Sequence, residues 1–121
     1  MANDPMTVDS SEEITLRDGV HMVILVVSGP ADYDATDGSL LDVSSYVSTI
    51  KHLSFGACTA KADALVLPRY VNSDFTSEAT GAVYFTWEDA DGSGARVLEN
   101  VADQTNLSAY QWQVLLVGDP A

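Results

Sequence analysis

The sequence is poor in basic residues and in cysteine. Only 5 lysines and arginines stand against 18 aspartates and glutamates, which gives a formal net charge of −13. A surface with that charge repels nucleic-acid phosphates, so we expect no direct nucleic-acid binding. Cys58 is the only cysteine, which excludes an internal disulfide and removes any sign of a disulfide-stapled secreted domain.

Long apolar runs and targeting signals are also missing. The longest apolar run, residues 20–27, is interrupted by His21 and is far shorter than the roughly 20 residues of a membrane helix. The first residues lack the basic start and apolar stretch of a signal peptide. We therefore expect no membrane association and synthesis in the cytoplasm.

Motifs that carry catalysis or bind metals are absent. His21 and His52 are 31 residues apart and have no paired cysteine, so they do not form a zinc signature. The chain has no G-x-S-x-G nucleophile motif and no phosphate-binding glycine loop. Cys58 has no flanking cationic motif, which favours a buried, inert thiol. The sequence predicts a protein that is not an enzyme and needs no cofactor.

The residues that are present predict an all-β fold. Short apolar runs, often alternating or rich in β-branched residues, are separated by Gly, Asp and Pro, the pattern of an antiparallel β-sandwich or small barrel. Two long apolar strands, 20–28 and 110–118, are expected to pair centrally, the first buried on both faces. Further strands are expected over 12–17, 51–58, 64–72, 81–88 and 95–101.

Turn residues and composition divide the chain further. Residues 1–11 are mostly small and polar and predict a flexible N-terminal arm, which leaves 12–121 as a single β domain. Asp18-Gly19 predicts a two-residue hairpin turn, and Pro68 predicts either an edge strand or a strand that ends at the proline. Helical spacing over 40–50 predicts a short helical turn before a strand. The similar segments L-D-V-S-S-Y and T-N-L-S-A-Y (41–46 and 105–110) predict two similar strand-initiating turns.

The segment W-E-D-A-D-G-S-G-A (87–95) resembles the start of an EF-hand loop, with Asp89 and Asp91 as weak candidate calcium ligands. The twelfth position of such a loop is Asn100 instead of a bidentate Glu, and the preceding residues have a strand pattern. Asp, Gly and Ser in this order also suit a tight turn for conformational reasons alone. We favour a strand connection without a metal.

Two groups of side chains are candidates for binding a partner. Residues 40–73 are near neutral within an acidic chain and contain three of the five basic residues, Lys51, Lys61 and Arg69. They either meet another acidic surface or pair with nearby carboxylates. Trp87 and Trp112 lie near predicted strand ends, where an indole fills the core or marks a protein or glycan patch.

The order of S-G-P-A-D-Y-D-A-T-D-G-S-L-L-D-V-S-S-Y-V, L-P-R-Y-V, T-G-A-V-Y-F-T-W-E-D-A-D-G-S-G-A and T-N-L-S-A-Y-Q-W-Q-V-L-L-V-G resembles small β-proteins of tailed bacteriophages. The resemblance spans about residues 20–118. It implies a virion protein of the capsid decoration (cement) type, which binds the major capsid protein on the capsid exterior as a dimer or trimer and stabilises the shell. The alternatives are a tail or head-completion protein, or a carbohydrate- or calcium-binding β module.

Overall fold

The chain folds into β-strands joined by turns. The computed structural model describes residues 4–58, 66–72, 79–90 and 96–121. One 3₁₀ turn, Arg17–Gly19, is present, and the described residues contain no α-helix. The strands are β1 (Thr7–Thr15), β2 (His21–Ser28), β3 (Ser39–Asp42), β4 (Val47–Cys58), β5 (Val66–Val71), β6 (Thr80–Ala90), β7 (Arg96–Asn100) and β8 (Gln111–Pro120).

Two antiparallel sheets pack face to face. The first sheet has the strand order β1-β2-β8-β4, and the second has the order β3-β6-β5, with β7 also paired to β6. Alternate residues of β2, β3 and β8 point inward, and the inner faces of the two sheets pack together as one core. Its fully buried members include Val23, Leu25, Val27, Val83, Phe85, Trp112, Val114 and Leu116. The predicted antiparallel β-sandwich is confirmed.

The two long apolar strands lie at the centre of the first sheet. β2 pairs with β8 from His21 opposite Gly118 to Ser28 opposite Gln111, which confirms their predicted pairing. The prediction that β2 is buried on both faces is wrong, because its outward residues are only half-buried. A sandwich of two sheets gives each sheet only one inner face.

β1 and β2 form the predicted hairpin, but its turn has three residues instead of the predicted two. Asp18 and Gly19 have φ values of 68° and 77°, but Thr15 pairs with His21, which sets Leu16 opposite Val20 and leaves the three residues Arg17–Gly19 as the loop. The Leu16 N–H donates to the Val20 carbonyl at 2.6 Å across the turn. The predicted hairpin is confirmed.

The predicted flexible arm over 1–11 is wrong for the described residues 4–11. Met6 is a core residue with 6% of its surface exposed, and its N–H donates to the Leu40 carbonyl at 2.9 Å. The Ser39 hydroxyl donates to the Asp4 carbonyl at 2.6 Å. From residue 7 onward the chain is β1, paired along β2. Its polar composition reflects an exposed edge strand.

A bulge in β1 adds a side-chain link across three strands. The pairing of β1 with β2 shifts between Val8 and Ser10, so Asp9 is the extra residue of the bulge. Its Oδ2 accepts hydrogen bonds from the Ser28 hydroxyl of β2 and from Nε2 of Gln111 of β8, the latter at 2.9 Å. The carboxylate therefore fastens the edge strand to both central strands.

The two similar segments form matching turns that lead into β4 and β8. The Val43 carbonyl accepts the Val47 N–H at 3.2 Å, which is one helical turn directly before β4 as predicted, and the Asp42 carboxylate accepts the Ser44 N–H at 2.9 Å. The Asn106 side chain accepts the Ser108 N–H at the same distance of 2.9 Å. In both turns the tyrosine N–H donates to the carbonyl three residues earlier at 3.0 Å. The prediction of similar strand-initiating turns is confirmed.

β6 changes partners along one side, and Tyr33 fills the gap between them. On that side β3 pairs with β6 up to Val83 and β7 pairs from Thr86. Between them, the Phe85 N–H donates to the Tyr33 hydroxyl at 3.0 Å and its carbonyl accepts the Val101 N–H. The N–H and the carbonyl of Phe85 both form their hydrogen bonds on this side of β6. Phe85 therefore needs no hydrogen bond from Pro68, which lies opposite it on β5, and the missing N–H of Pro68 leaves no group unpaired. The predicted edge position of β5 is confirmed.

Candidate binding surfaces

The acidic segment 87–95 belongs to a hairpin. Asp89 pairs with Val97 and Ala90 pairs with Arg96 in an antiparallel register, so strands flank the segment where an EF-hand needs helices. The flanking strands are those of the predicted strand connection, and the connecting residues 91–95 lie outside the described residues. Asp91 and the side chain of Asp89 lie outside the described part of the chain, and the expectation that they hold no metal stays a prediction.

The two tryptophans contribute mainly to the core. Trp112 is 1% exposed and lies among the rings of Phe55, Phe85 and Tyr110, with centroids 6.4, 5.2 and 6.1 Å away. The predicted role of Trp112 in partner binding is wrong, because a ring buried in the sandwich presents no surface. Trp87 is half-buried and packs against the same core, which leaves only part of its ring for contact.

The basic residues do not gather on one face. Lys51 lies in β4 of the first sheet, with Nζ 3.9 Å from Asp119 Oδ1, an exposed pair that contributes little stability. Arg69 lies in β5 of the second sheet, with its guanidinium 5.3 Å from the centre of the Tyr84 ring. Lys61 lies outside the described residues. A role of these bases in partner binding stays a prediction, and Lys51 and Arg69 belong to separate surfaces.

The remaining reactive side chains are dispersed. Cys58 is exposed at the end of β4, so the expectation of a buried thiol is wrong. His52 is also exposed, and its Nε2 lies 3.0 Å from the Ser54 hydroxyl. Among the described residues, no three His, Cys, Asp or Glu side chains lie close enough to share a metal ion. No described helix is long and apolar enough to cross a membrane.

The outer face of the second sheet carries an apolar patch with one cation. Leu40, Ala82 and Val71 lie side by side across β3, β6 and β5. Leu40, Leu67 and Val71 are 39%, 39% and 42% exposed. We call this surface the second-sheet patch, which consists of Leu40, Leu67, Arg69, Val71, Ala82 and Tyr84.

The outer face of the first sheet is apolar over a larger area. Three cross-strand rows run over it, and the first two join β1, β2, β8 and β4. One row is Ile14, Met22, Val117 and His52, the next is Glu12, Ile24, Leu115 and Ser54, and the third contains Ser10, Val26 and Gln113. We call this surface the first-sheet face, with the apolar members Ile14, Met22, Ile24, Val26, Leu115 and Val117.

A shallow depression lies in the first-sheet face beside Leu115, which is itself 37% exposed. The depression has a volume of about 310 Å³ and is lined by Ile24, Ser54, Gly56, Gln113, Val114 and Leu115. It exists because Ser54 and Gly56 on β4 are too small to cover their neighbours on β8. The face therefore combines a protruding leucine with a recess next to it.

The sequence analysis predicted neither outer apolar face. The sequence nevertheless contains a sign of the first-sheet face. The run M-V-I-L-V in β2 and the run V-L-L-V in β8 exceed what one buried face needs, because a half-buried strand alternates apolar and polar residues. The surplus apolar residues lie on the outer face. The second-sheet patch had no such sign, since its members come from three separated strands.

Comparisons with protein families, with curated proteins and with solved structures found no match to this chain.

Proposed function

We propose that this chain is a structural protein of a tailed-phage virion. In this proposal it decorates the capsid exterior, binds the major capsid protein and braces the shell. The order of its strand and turn motifs supports the proposal through the resemblance given above. A rigid antiparallel sandwich also suits a protein whose role is to hold neighbouring subunits in place.

The second-sheet patch is the observation that carries the proposal. Protein interfaces are enriched in aromatic residues and arginine and depleted in acids at their centres. The patch has this composition in a chain with 18 acidic residues, with Arg69 placed over Tyr84 between exposed leucine and valine side chains. We assign it the contact with the shell, and Arg69 the pairing with a shell carboxylate.

Binding to capsid shells that lack their decoration protein tests the assignment. Leu67→Glu places a charge in the patch at an exposed position of an edge strand and should reduce occupancy on the shells strongly without unfolding the domain. Leu16→Glu, in the β1–β2 turn and outside both apolar surfaces, is the matched control because Leu16 and Leu67 are both 39% exposed. Equal occupancy of Leu67→Glu and wild type would rule out the patch as the contact.

Copy number distinguishes the decoration role from other virion roles. A decoration protein is expected in copies stoichiometric with the major capsid protein, whereas a tail or head-completion protein is present in a few copies. Quantitative mass spectrometry of purified virions measures this ratio. A ratio far below one would contradict decoration and favour head completion or the tail.

A further inference from the structure

We infer that the first-sheet face is a self-association interface, through which two copies of the chain pack about a two-fold axis parallel to the strands. The partner is a second copy of this chain. The inference rests on the chemistry and shape of that face alone and holds whether or not the protein is a virion component.

The charge distribution selects this face for contact between two acidic molecules. Each copy carries a net charge of −13, so two copies repel each other wherever their acids meet. The middle of the face is free of that repulsion, because β2 from Met22 to Ser28 and β8 from Gln111 to Gly118 contain no ionisable side chain. Two apolar centres therefore meet with little electrostatic cost.

The extent of the face matches the needs of a dimer. The paired part of β2 and β8 is eight residues long, about 27 Å at roughly 3.4 Å per residue. Four strands at a spacing of about 4.8 Å are about 19 Å wide. The projected area is about 500 Å², and corrugation by side chains brings the accessible area toward the ~800 Å² per partner of stable interfaces.

Charged residues at the edges of the first-sheet face favour one orientation of the two-fold axis of the dimer. Glu12 lies on β1 at one edge of the face, and Lys51 lies on β4 at the opposite edge. A two-fold axis parallel to the strands places β1 of each copy over β4 of the other, so Glu12 lies over the Ser54 row and Lys51, further along β4, is the base nearest to it. An axis across the strands places β1 over β1 and brings acid to acid. Charge complementarity therefore favours the parallel axis.

The shape of the first-sheet face, with its protruding Leu115 and the depression beside it, also fits a two-fold axis parallel to the strands. The parallel axis places β2 of one copy over β8 of the other, so Ile24 and Val26 lie against the region of the depression beside Leu115. Both copies use the same patch, and each recess receives side chains from the other copy, as an isologous interface requires. The strands of the two facing sheets then lie nearly aligned, the usual packing of sheet on sheet.

Sedimentation equilibrium of the full chain tests the inference, with a reductant present so that the exposed Cys58 forms no disulfide. Wild type should be dimeric at micromolar concentrations. Leu115→Glu should raise the dimer Kd by about 100-fold or more, because symmetry buries two unpaired carboxylates. Leu67→Glu, of similar exposure on the second sheet, should dimerise like wild type.

Glu12→Gln tests the axis and keeps the inference testable if Leu115→Glu does not fold. Glu12 is exposed on an edge strand, so this variant should fold normally. Loss of its attraction to Lys51 should weaken the dimer, whereas an acid-on-acid contact predicts a tighter dimer and would overturn the parallel axis. Wild type that stays monomeric up to about 100 μM, a concentration at which a dimer with a micromolar Kd is mostly formed, would overturn the whole inference.

The shell-binding test and this test fail separately. Loss of shell occupancy in Leu67→Glu with an intact dimer supports the second-sheet patch without bearing on the first-sheet face. A monomeric wild type overturns self-association and leaves shell binding by a single copy intact. Each surface therefore has its own variant and its own measurement.

Discussion

Tyr33 shows how one hydroxyl completes a sheet. Its oxygen accepts the Phe85 N–H at the point where β6 has lost β3 and has not yet met β7, and its ring packs edge-on against Phe85. Tyr33→Phe keeps the ring and leaves a buried N–H without an acceptor, which costs about 1–3 kcal/mol. We expect a loss of that size in the free energy of unfolding, measured by urea denaturation at neutral pH.

Tyr84→Phe is the control for this loss. The Tyr84 hydroxyl donates to the Thr36 carbonyl at 3.5 Å in an exposed setting, so its removal should change stability little. A Tyr33→Phe protein as stable as the Tyr84→Phe protein would show that the hydroxyl does not complete the ladder.

The same hydroxyl predicts how stability responds to alkaline pH. Burial raises the pKa of Tyr33 above its usual value of 10.0. Because the folded pKa exceeds the unfolded pKa, this stabilisation is complete below pH 10 and is lost as pH rises toward the folded pKa. Stability measured from pH 8 to 11 should fall less steeply in Tyr33→Phe than in wild type.

At the scale of single residues, the turns were the most predictable part of the fold. The matching segments 41–46 and 105–110 form the turns that their residues predict, because each turn depends on groups within a few positions, and Asp18-Gly19 lies in the predicted hairpin, although its turn is one residue longer than predicted. The role of Tyr33 was not predictable, since it joins groups 52 residues apart in sequence. The choice between the core and a binding patch for Trp112 stayed open for the same reason: its neighbours come from both sheets.

At the scale of elements, the N-terminal segment joins the two sheets. Residues 4–6 lie beside β3 of the second sheet, held by the Met6 N–H, and the chain then continues as β1 of the first. Met6→Ala removes a buried side chain from this seam and should cost about 2–5 kcal/mol. Thermal denaturation measures the effect, with Thr7→Ala at the neighbouring exposed position as the control.

Deletion of residues 1–11 extends the same prediction. It removes Met6 together with the first half of β1 and the Asp9 link to Ser28 and Gln111, so the melting temperature should fall further than in Met6→Ala. A deletion variant with the wild-type melting temperature would contradict the structural role of the segment and would support the prediction of a flexible arm.

Strands with a strong apolar pattern were predictable from the sequence, and the exposed, polar edge strand β1 was not. The runs in β2 and β8 predict strands because β-branched residues fill a pleated surface, but a run does not say which of its faces meets solvent. β1 carries mostly polar and acidic residues, the usual protection of an exposed edge. Such a composition is also typical of a flexible segment, and only the pairing with β2 separates the two.

At the scale of the whole molecule, the two proposed binding surfaces lie on opposite sides of the sandwich. The first-sheet face and the second-sheet patch lie on the outer faces of two sheets packed through their inner faces. A dimer formed through the first-sheet face leaves both second-sheet patches exposed, at the two far ends of the pair. Self-association and shell binding are therefore compatible in one assembly.

The net charge of −13 predicts how ions act on the whole molecule. Repulsion among the acids opposes the compact state and is screened by salt, so sodium chloride should raise the melting temperature.

A specific calcium site, such as one at Asp89 and Asp91, would add stability beyond screening, because a ligand that binds the native state raises its stability. We expect calcium and magnesium chloride at equal ionic strength and fixed protein concentration to raise the melting temperature equally. An excess of more than about 4 °C with calcium, worth roughly 1 kcal/mol for a domain of this size, would instead establish a calcium site. An Asp89→Asn, Asp91→Asn variant that lost this excess would assign it to the hairpin.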